Sequence, residues 1–304
     1  MLTRRRLLTI SAALALTPAA LRAGTPPPAE RLWSGQALGA RASIRLAHPD
    51  AQAISGRVLA EIDRLENILS LYRPDSALAR LNRDGALDAP PFELLECLSL
   101  AGAVHGASGG RFDPSVQPLW ALWAESAAAG HQPAPAEIAA RRAVVGWGGV
   151  TLDSRRITLR PGAALTLNGI GQGYVADRVA ALLTAEGLSE ILIDTGEFRA
   201  LGGHPGGGAW QITLAAGGQV GLSGRALATS SPLGTTFDQA GQDGHIIDPA
   251  TGSPVAADWR EITISAPSAA LADALSTAAC VTPDRDAIAA MVAQFPGARV
   301  EAAV

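Results

Sequence analysis

Apolar positions along the chain recur with two periods, and their alternation sets an expected order of elements. Residues 32–46 alternate as strands do, with a turn at Leu38-Gly39. Ile54, Val58, Ile62, Leu65 and Leu69 then keep to one face of a helix. Pro74 forbids its continuation through residues 70–76. Ser76 is placed to cap a short helix over residues 77–81, after which Asn82 and Asp84-Gly85 turn the chain. Residues 92–107 predict an apolar core helix, followed by a turn-rich break over 108–115 before the apolar stretch 116–123. Residues 127–142 are rich in Ala and Pro and read as surface. Alternation resumes over 146–159 around a turn at Asp153-Ser154, and a strand-like run spans 157–167. Val175, Val179, Leu182 and Leu183 predict a helix closed by Gly187. Short strands follow at 191–193, 210–214, 220–223, 226–229 and 262–265. Ser268 then stands as N-cap of a helix over 269–280.

The chain is organised around residues 165–178, LTLNGIGQGYVADR, where Gly169, Gly171 and Gly173 sit at every second position. Strand, glycine loop and helix in that order bring bare backbone N–H groups and a positive helix end to a phosphate. With Asp194 ending the next apolar run, the unit imitates a dinucleotide-binding βαβ. Its spacing is G-x-G-x-G, however, and Asp194 lies 25 residues beyond Gly169, where about 20 is usual. Phosphate binding and a plain tight turn both fit these residues. On the helix 269–280, Asp273 and Thr277 are four apart and Ser276 is three from Asp273, so they share a face. Hard oxygen donors at that spacing suit Mg²⁺; a polar stripe on a packed helix reads equally from the spacing alone. Taken singly, Tyr72 fits a loop aromatic, Asp113 before Pro114 a turn former, and His245 a surface histidine.

Composition narrows the chemistry. Residues 1–23 carry Arg4-Arg5-Arg6 before an apolar run and end at Ala23, the pattern of an export signal. The paired arginines before Leu7-Leu8 fit the twin-arginine type, which implies a periplasmic protein. Residues 24–31 form a tether and 32–304 a single domain. Without the signal the chain keeps 20 arginines against 28 acids, a net charge near −8, which disfavours nucleic acid as a partner. No apolar run in the mature chain is long enough for a transmembrane segment. Every basic residue is arginine, so Schiff-base chemistry and a P-loop lysine are excluded. Cys97 and Cys280 lie far apart in apolar contexts and read as buried thiols.

Five motifs in order carry a resemblance: Tyr72-Arg73-Pro74-Asp75-Ser76 with Asn82; Gly110-x-Phe112-Asp113-Pro114; the glycine loop; His245-Ile246-Ile247-Asp248-Pro249-x-Thr251-Gly252; and residues 272–278, ADALSTA. Together they resemble the FAD:protein FMN transferases, the ApbE-like family, over residues 32–295. The resemblance implies a T-fold-like α+β domain. It also implies Mg²⁺-dependent transfer of FMN from the substrate FAD to a Thr or Ser of an acceptor flavoprotein, with AMP released. Asp273 and Thr277 match the family's metal ligands, Ser276 an auxiliary metal position, and Gly169 the backbone-carbonyl ligand. Leu38, Tyr72, Arg111, Phe112, Asp113, Thr166, Gln172 and Ile247 match its flavin-nucleotide contacts, and His245 the histidine put forward for transfer.

Departures from the family pattern are Thr166 and Gln172 in the glycine loop, residues 230–235 in place of Ser-Gly-Asp, and Gly196-Glu197 in place of Gly-Gly-Asp. With the twin-arginine start they resemble the NosX branch accompanying nitrous oxide reductase, whose implied client is a membrane-bound flavoprotein. Competing expectations are a periplasmic flavin-binding or flavin-donor protein with a degenerate site, and a Mg²⁺-dependent FAD pyrophosphatase in which water replaces the acceptor hydroxyl. A dehydrogenase would leave the Asp273 helix without a role.

Overall fold

Strand periodicity at the start of the chain yields a hairpin of β1 (Arg31–Ala37) and β2 (Ala40–Leu46). The computed structural model describes residues 31–304 apart from Gly39 and Ala47. The export signal, tether residues 24–30 and Gly39 of the first turn lie outside the described residues. Helix α1 (Ala51–Leu69) buries the predicted face of Ile54, Val58, Ile62, Leu65 and Leu69. The Ser76 hydroxyl accepts from the N–H of Ala79 and starts α2 (Ala77–Asp84), which ends at Gly85 with φ +72°. This helix runs three residues past its expected end, so Asn82 is helical. Its amide clamps Leu165 instead of turning the chain, accepting from the Leu165 N–H at 2.7 Å and donating to its carbonyl at 2.8 Å.

β3 (Ala86–Asp88), α3 (Phe92–Ala107) and α4 (Gln117–Ala128) follow. α5 (Pro135–Arg142) buries no residue, as its composition predicts. β4 (Val150–Leu152) and β5 (Arg156–Leu159) complete a three-stranded sheet in the order β3-β5-β4. The strand-like run 157–167 therefore ends at Leu159. A turn with Gly162 at φ +79° intervenes, and beyond it Ala164 makes only an isolated bridge to Val116.

Next come α6 (Gly171–Ala185), β6 (Ile191–Asp194), β7 (Phe198–Leu201), β8 (Trp210–Thr213), β9 (Gln219–Leu222), β10 (Ala226–Ser230) and β11 (Ile262–Ala266). The chain finishes with α7 (Ala269–Cys280), α8 (Arg285–Val292) and β12 (Arg299–Ala303). β1-β2-β6-β7-β10-β11-β12 form a seven-stranded, wholly antiparallel sheet. β5 and β6 lie in different sheets, so no βαβ unit exists here and the dinucleotide-binding resemblance of the glycine stretch dissolves.

β10, next to the middle of the seven-stranded sheet, is buried on both faces over residues 226–228. Ala226 and Ala228 of β10 join the main core with α6 and α7, whereas Leu227 faces a smaller cluster under the β8–β9 hairpin with Trp210, Ile212 and Leu222. Cys97 and Cys280 are buried free thiols. Small residues let α7 approach α6 backbone to backbone: a Cβ on Gly173 would stand 2.3 Å from the Ala269 carbonyl oxygen. The Asp177 carboxylate bridges the same crossing, accepting from the N–H groups of Ala269 at 2.8 Å and Ala270 at 2.9 Å at the start of α7. Gly173→Ala is expected to cost about 3 kcal/mol through overpacking, read as a lowered denaturant midpoint. An unchanged midpoint would mean that the two helices can separate freely.

Candidate functional site

The N-terminus of α6, one face of α7 and the loops that carry Leu38, Tyr72, Phe112, Glu197 and His245 line a cavity of about 790 Å³. Its floor is the glycine stretch, and each glycine has its own packing reason. A Cβ on Gly169 would meet Thr277 at 2.9 Å, one on Gly171 would meet Leu38 at 2.9 Å, and Gly173 meets Ala269 as above. Close approach to protein accounts for each of the three glycines. The positive end of α6 is already engaged, because the Gly173 N–H donates to Asp273 Oδ2 at 3.2 Å.

Asp273 is buried, and desolvation pushes its carboxyl up to about 7, against the pull of the Gly173 N–H. One helical turn on, Thr277 also lines the cavity, with its hydroxyl 3.3 Å from that of Ser230. Ser276 does not line it. Its fully buried hydroxyl lies behind Thr277, 2.7 Å from Ser230 Oγ and 3.0 Å from the Asp273 carbonyl. Carboxylate, hydroxyl and the nearby Gly169 backbone make an all-oxygen set that fits a hard cation such as Mg²⁺.

The opposite wall carries His245. Its Nδ1 is 3.0 Å from the Thr235 carbonyl, an acceptor only, so Nδ1 holds the hydrogen and Nε2 is left as the basic nitrogen. Burial lowers its pKa, outweighing the Thr235 hydrogen bond. The backbone keeps this pairing, since the His245 N–H donates to the same carbonyl at 3.0 Å.

Leu38, Tyr72, Arg111, Phe112, Asp113, Thr166, Gln172 and Ile247 all line the cavity. Tyr72 stands at the rim, 67% exposed, on a loop fastened by Arg73, which ion-pairs with Asp63 and Glu66. Glu66 also accepts from the Leu38 N–H at 2.8 Å, holding a residue at the unusual φ of +49°. Phe112 and Ile247 are buried wall, and Arg111 is the one guanidinium among the described lining residues. Asp113 spends its carboxylate on the fold: it accepts from the Ser115 N–H (2.8 Å), the Ser115 hydroxyl (2.7 Å) and the Trp147 N–H (3.1 Å). Thr166 is likewise engaged locally, accepting from the Asn168 N–H at 3.1 Å.

Glu197 and Ser230 escape a reading by spacing, yet both line the cavity. Glu197 follows a strand of only four residues, and nothing in a single acid after a glycine signals that it is buried. Among the described residues no helix is long and apolar enough to cross a membrane.

Comparison with known proteins gives the family and its fold. The ApbE family model matches residues 38–301. The FAD:protein FMN transferase of Vibrio cholerae is 30% identical over 284 residues, covering 87% of this chain and 85% of its own. That of Salmonella typhimurium is 26% identical over 275 residues, covering 83% and 79%. Among solved structures, the ApbE protein of Thermotoga maritima superposes with a TM-score of 0.79 at 26% identity, over 89% of this chain and 93% of that one. The apo flavinyl transferase ApbE of Pseudomonas stutzeri gives 0.77 at 27% identity, over 88% and 89%. A mixed α+β domain whose matched span runs from the Leu38 turn to the last strand, taking in every cavity wall, belongs to the ApbE family.

Proposed function

We propose that this protein cleaves FAD with the help of Mg²⁺ and transfers FMN to a threonine or serine of a partner flavoprotein, releasing AMP. One observation carries the reading. A single cavity joins the oxygen set of Asp273, Thr277 and Gly169 to an imidazole whose Nε2 is unengaged. The relatives' activity, FAD:protein FMN transfer, supports it.

Asp273, Thr277 and the Gly169 carbonyl would hold Mg²⁺, with Ser276 and Ser230 fixing the Thr277 hydroxyl from behind. When bound, Mg²⁺ would neutralise charge on the pyrophosphate oxygens. Arg111 is the side chain available to add positive charge, in a chain without lysine. Phe112 and Ile247 supply an apolar wall for a ring of the dinucleotide, and Tyr72 a rim surface on which one can stack. His245 Nε2 takes the proton of the acceptor hydroxyl. The hydroxyl oxygen bonds to the FMN phosphorus as the bond from that phosphorus to the bridging oxygen breaks, and AMP leaves with the bridging oxygen.

The finer assignment belongs to the same proposal. Thr166, Gln172, residues 230–235 and Gly196-Glu197, with the paired arginines at the start, support a NosX-type protein. Such a protein is exported by the twin-arginine route to the periplasm. Its acceptor is a membrane-bound flavoprotein of nitrous oxide respiration.

The test is incubation of the protein with FAD, Mg²⁺ and a threonine-containing flavinylation peptide, read by mass spectrometry with an EDTA control. A metal-dependent adduct of FMN mass is expected. FMN and AMP without adduct would make the protein a pyrophosphatase. Tight FAD binding without products would make it a flavin-binding module, the outcome to which the uncharged Thr166 and Gln172 point.

A further inference from the structure

Glu197 has no place in the chemistry above, yet it is the most conspicuous acid in the cavity. It lies in the turn between β6 and β7, closed by the Thr195 N–H donating to the Glu197 carbonyl at 3.1 Å. The Thr195 hydroxyl donates to the Gln172 carbonyl at 3.2 Å. The turn is thereby fixed to the first turn of α6, where the neighbouring Gly173 N–H holds Asp273. Glu197 is 8% exposed and lines the cavity. Its carboxylate accepts from the Thr229 N–H, while Oε2 is buried and has no protein partner.

A buried carboxylate oxygen without a donor is costly and needs a proton or a cation. The surrounding charges offer no relief. Asp273 and Asp194 face it, and desolvation with the Asp273 charge raises its pKa well above the carboxylate range. Arg199 is ion-paired to Asp177 at 3.2 Å. By contrast Asp177, the third acid of this region, is satisfied by two backbone N–H groups and that arginine.

We infer that Glu197 is the second carboxylate of the cation centre, presented from the β6–β7 turn opposite Asp273, Thr277 and the Gly169 carbonyl. This rests on the metal reading of the site made above. Among the described residues no cluster of three or more His, Cys, Asp or Glu suits a metal. A divalent ion here is neutralised by two carboxylates, with hydroxyl, carbonyl and water filling the remaining positions.

The experiment is Mn²⁺ binding to the metal-free protein without FAD, followed by loss of the free-ion EPR signal, for wild type, Asp273→Asn, Glu197→Gln and Glu197→Asp. Wild type is expected to bind, and Asp273→Asn and Glu197→Gln each to weaken binding at least about tenfold. Glu197→Asp, which keeps the charge one methylene shorter, should fall between. Gln keeps an acceptor for the Thr229 N–H, so the metal-free melting temperature of Glu197→Gln should not fall. Should that variant fail to fold, the Asp variant decides the matter by its affinity alone. Wild-type affinity in either Glu197 variant, with loss in Asp273→Asn, would overturn the role of Glu197 and leave the centre standing. No Mn²⁺ binding by wild type would overturn both.

Discussion

Asp273→Asn is expected to lower metal-dependent FMN transfer at least about a thousandfold, some 4 kcal/mol of transition-state stabilisation, without loss of fold. The substitution is isosteric and keeps an acceptor for the Gly173 N–H. It also removes a charge from a residue that is 4% exposed. The sign of the pH effect follows from the raised pKa, about 7 against an ordinary 3.8. Between those values the native state holds a proton that the unfolded chain has released. The metal-free protein therefore loses stability as pH rises through that window. The Asn variant lacks the Asp273 share of this slope, and thermal melts of metal-free wild type and variant at pH 4 and pH 8 read the difference. An inactive variant that also melts early at every pH would make Asp273 a folding residue.

The second large effect is at His245. His245→Ala is expected to reduce transfer by about 10²- to 10⁴-fold, the range of a general base, while FAD binding is kept. Burial holds the imidazole below its ordinary 6.5. The acid limb of the pH–rate profile therefore belongs below pH 6.5, with the neutral base fully present above it. The same group contributes stability above pH 6.5 that fades as pH falls through its lowered value. Joint loss of FAD binding and transfer in the variant would place His245 in the architecture of loop 231–245. An acid limb that persists unchanged would assign the proton to another group.

Much of this was legible before any coordinates. α1, α3 and α7 announce themselves through face, length and cap, and Ser76 and Ser268 cap the helices their positions foretell. The eight positions matched to the family's flavin-nucleotide contacts lie along one cavity, whatever they bind there, and Ser276 alone among the metal candidates stands behind it. The failures have physical reasons. β7 sends Leu201 into the main core and Ala200 into the smaller cluster, which removes the alternation that marks a half-exposed strand. The run 157–167 kept strand-like polarity beyond Leu159 because an extended segment clamped by Asn82 alternates as a strand does without sheet partners. The glycine triplet imitated a phosphate loop because close contact with Thr277, Leu38 and Ala269 asks for the same small residue. Glu197 was noted only as a departure from the family pattern, because sequence carries no signal for an acid that the fold deprives of water.

The backbone contact between α6 and α7 divides the site into parts of different stiffness. Asp273 and Thr277 stand on α7, which Gly173 and the Asp177 bridge lock to α6, so the donors proposed for the cation form an anvil beneath the cavity. Tyr72 and the segment around Thr235 and His245 hang from turns at the rim. In the proposed reaction, adjustment to the acceptor therefore falls to the rim, while the geometry around the pyrophosphate stays fixed.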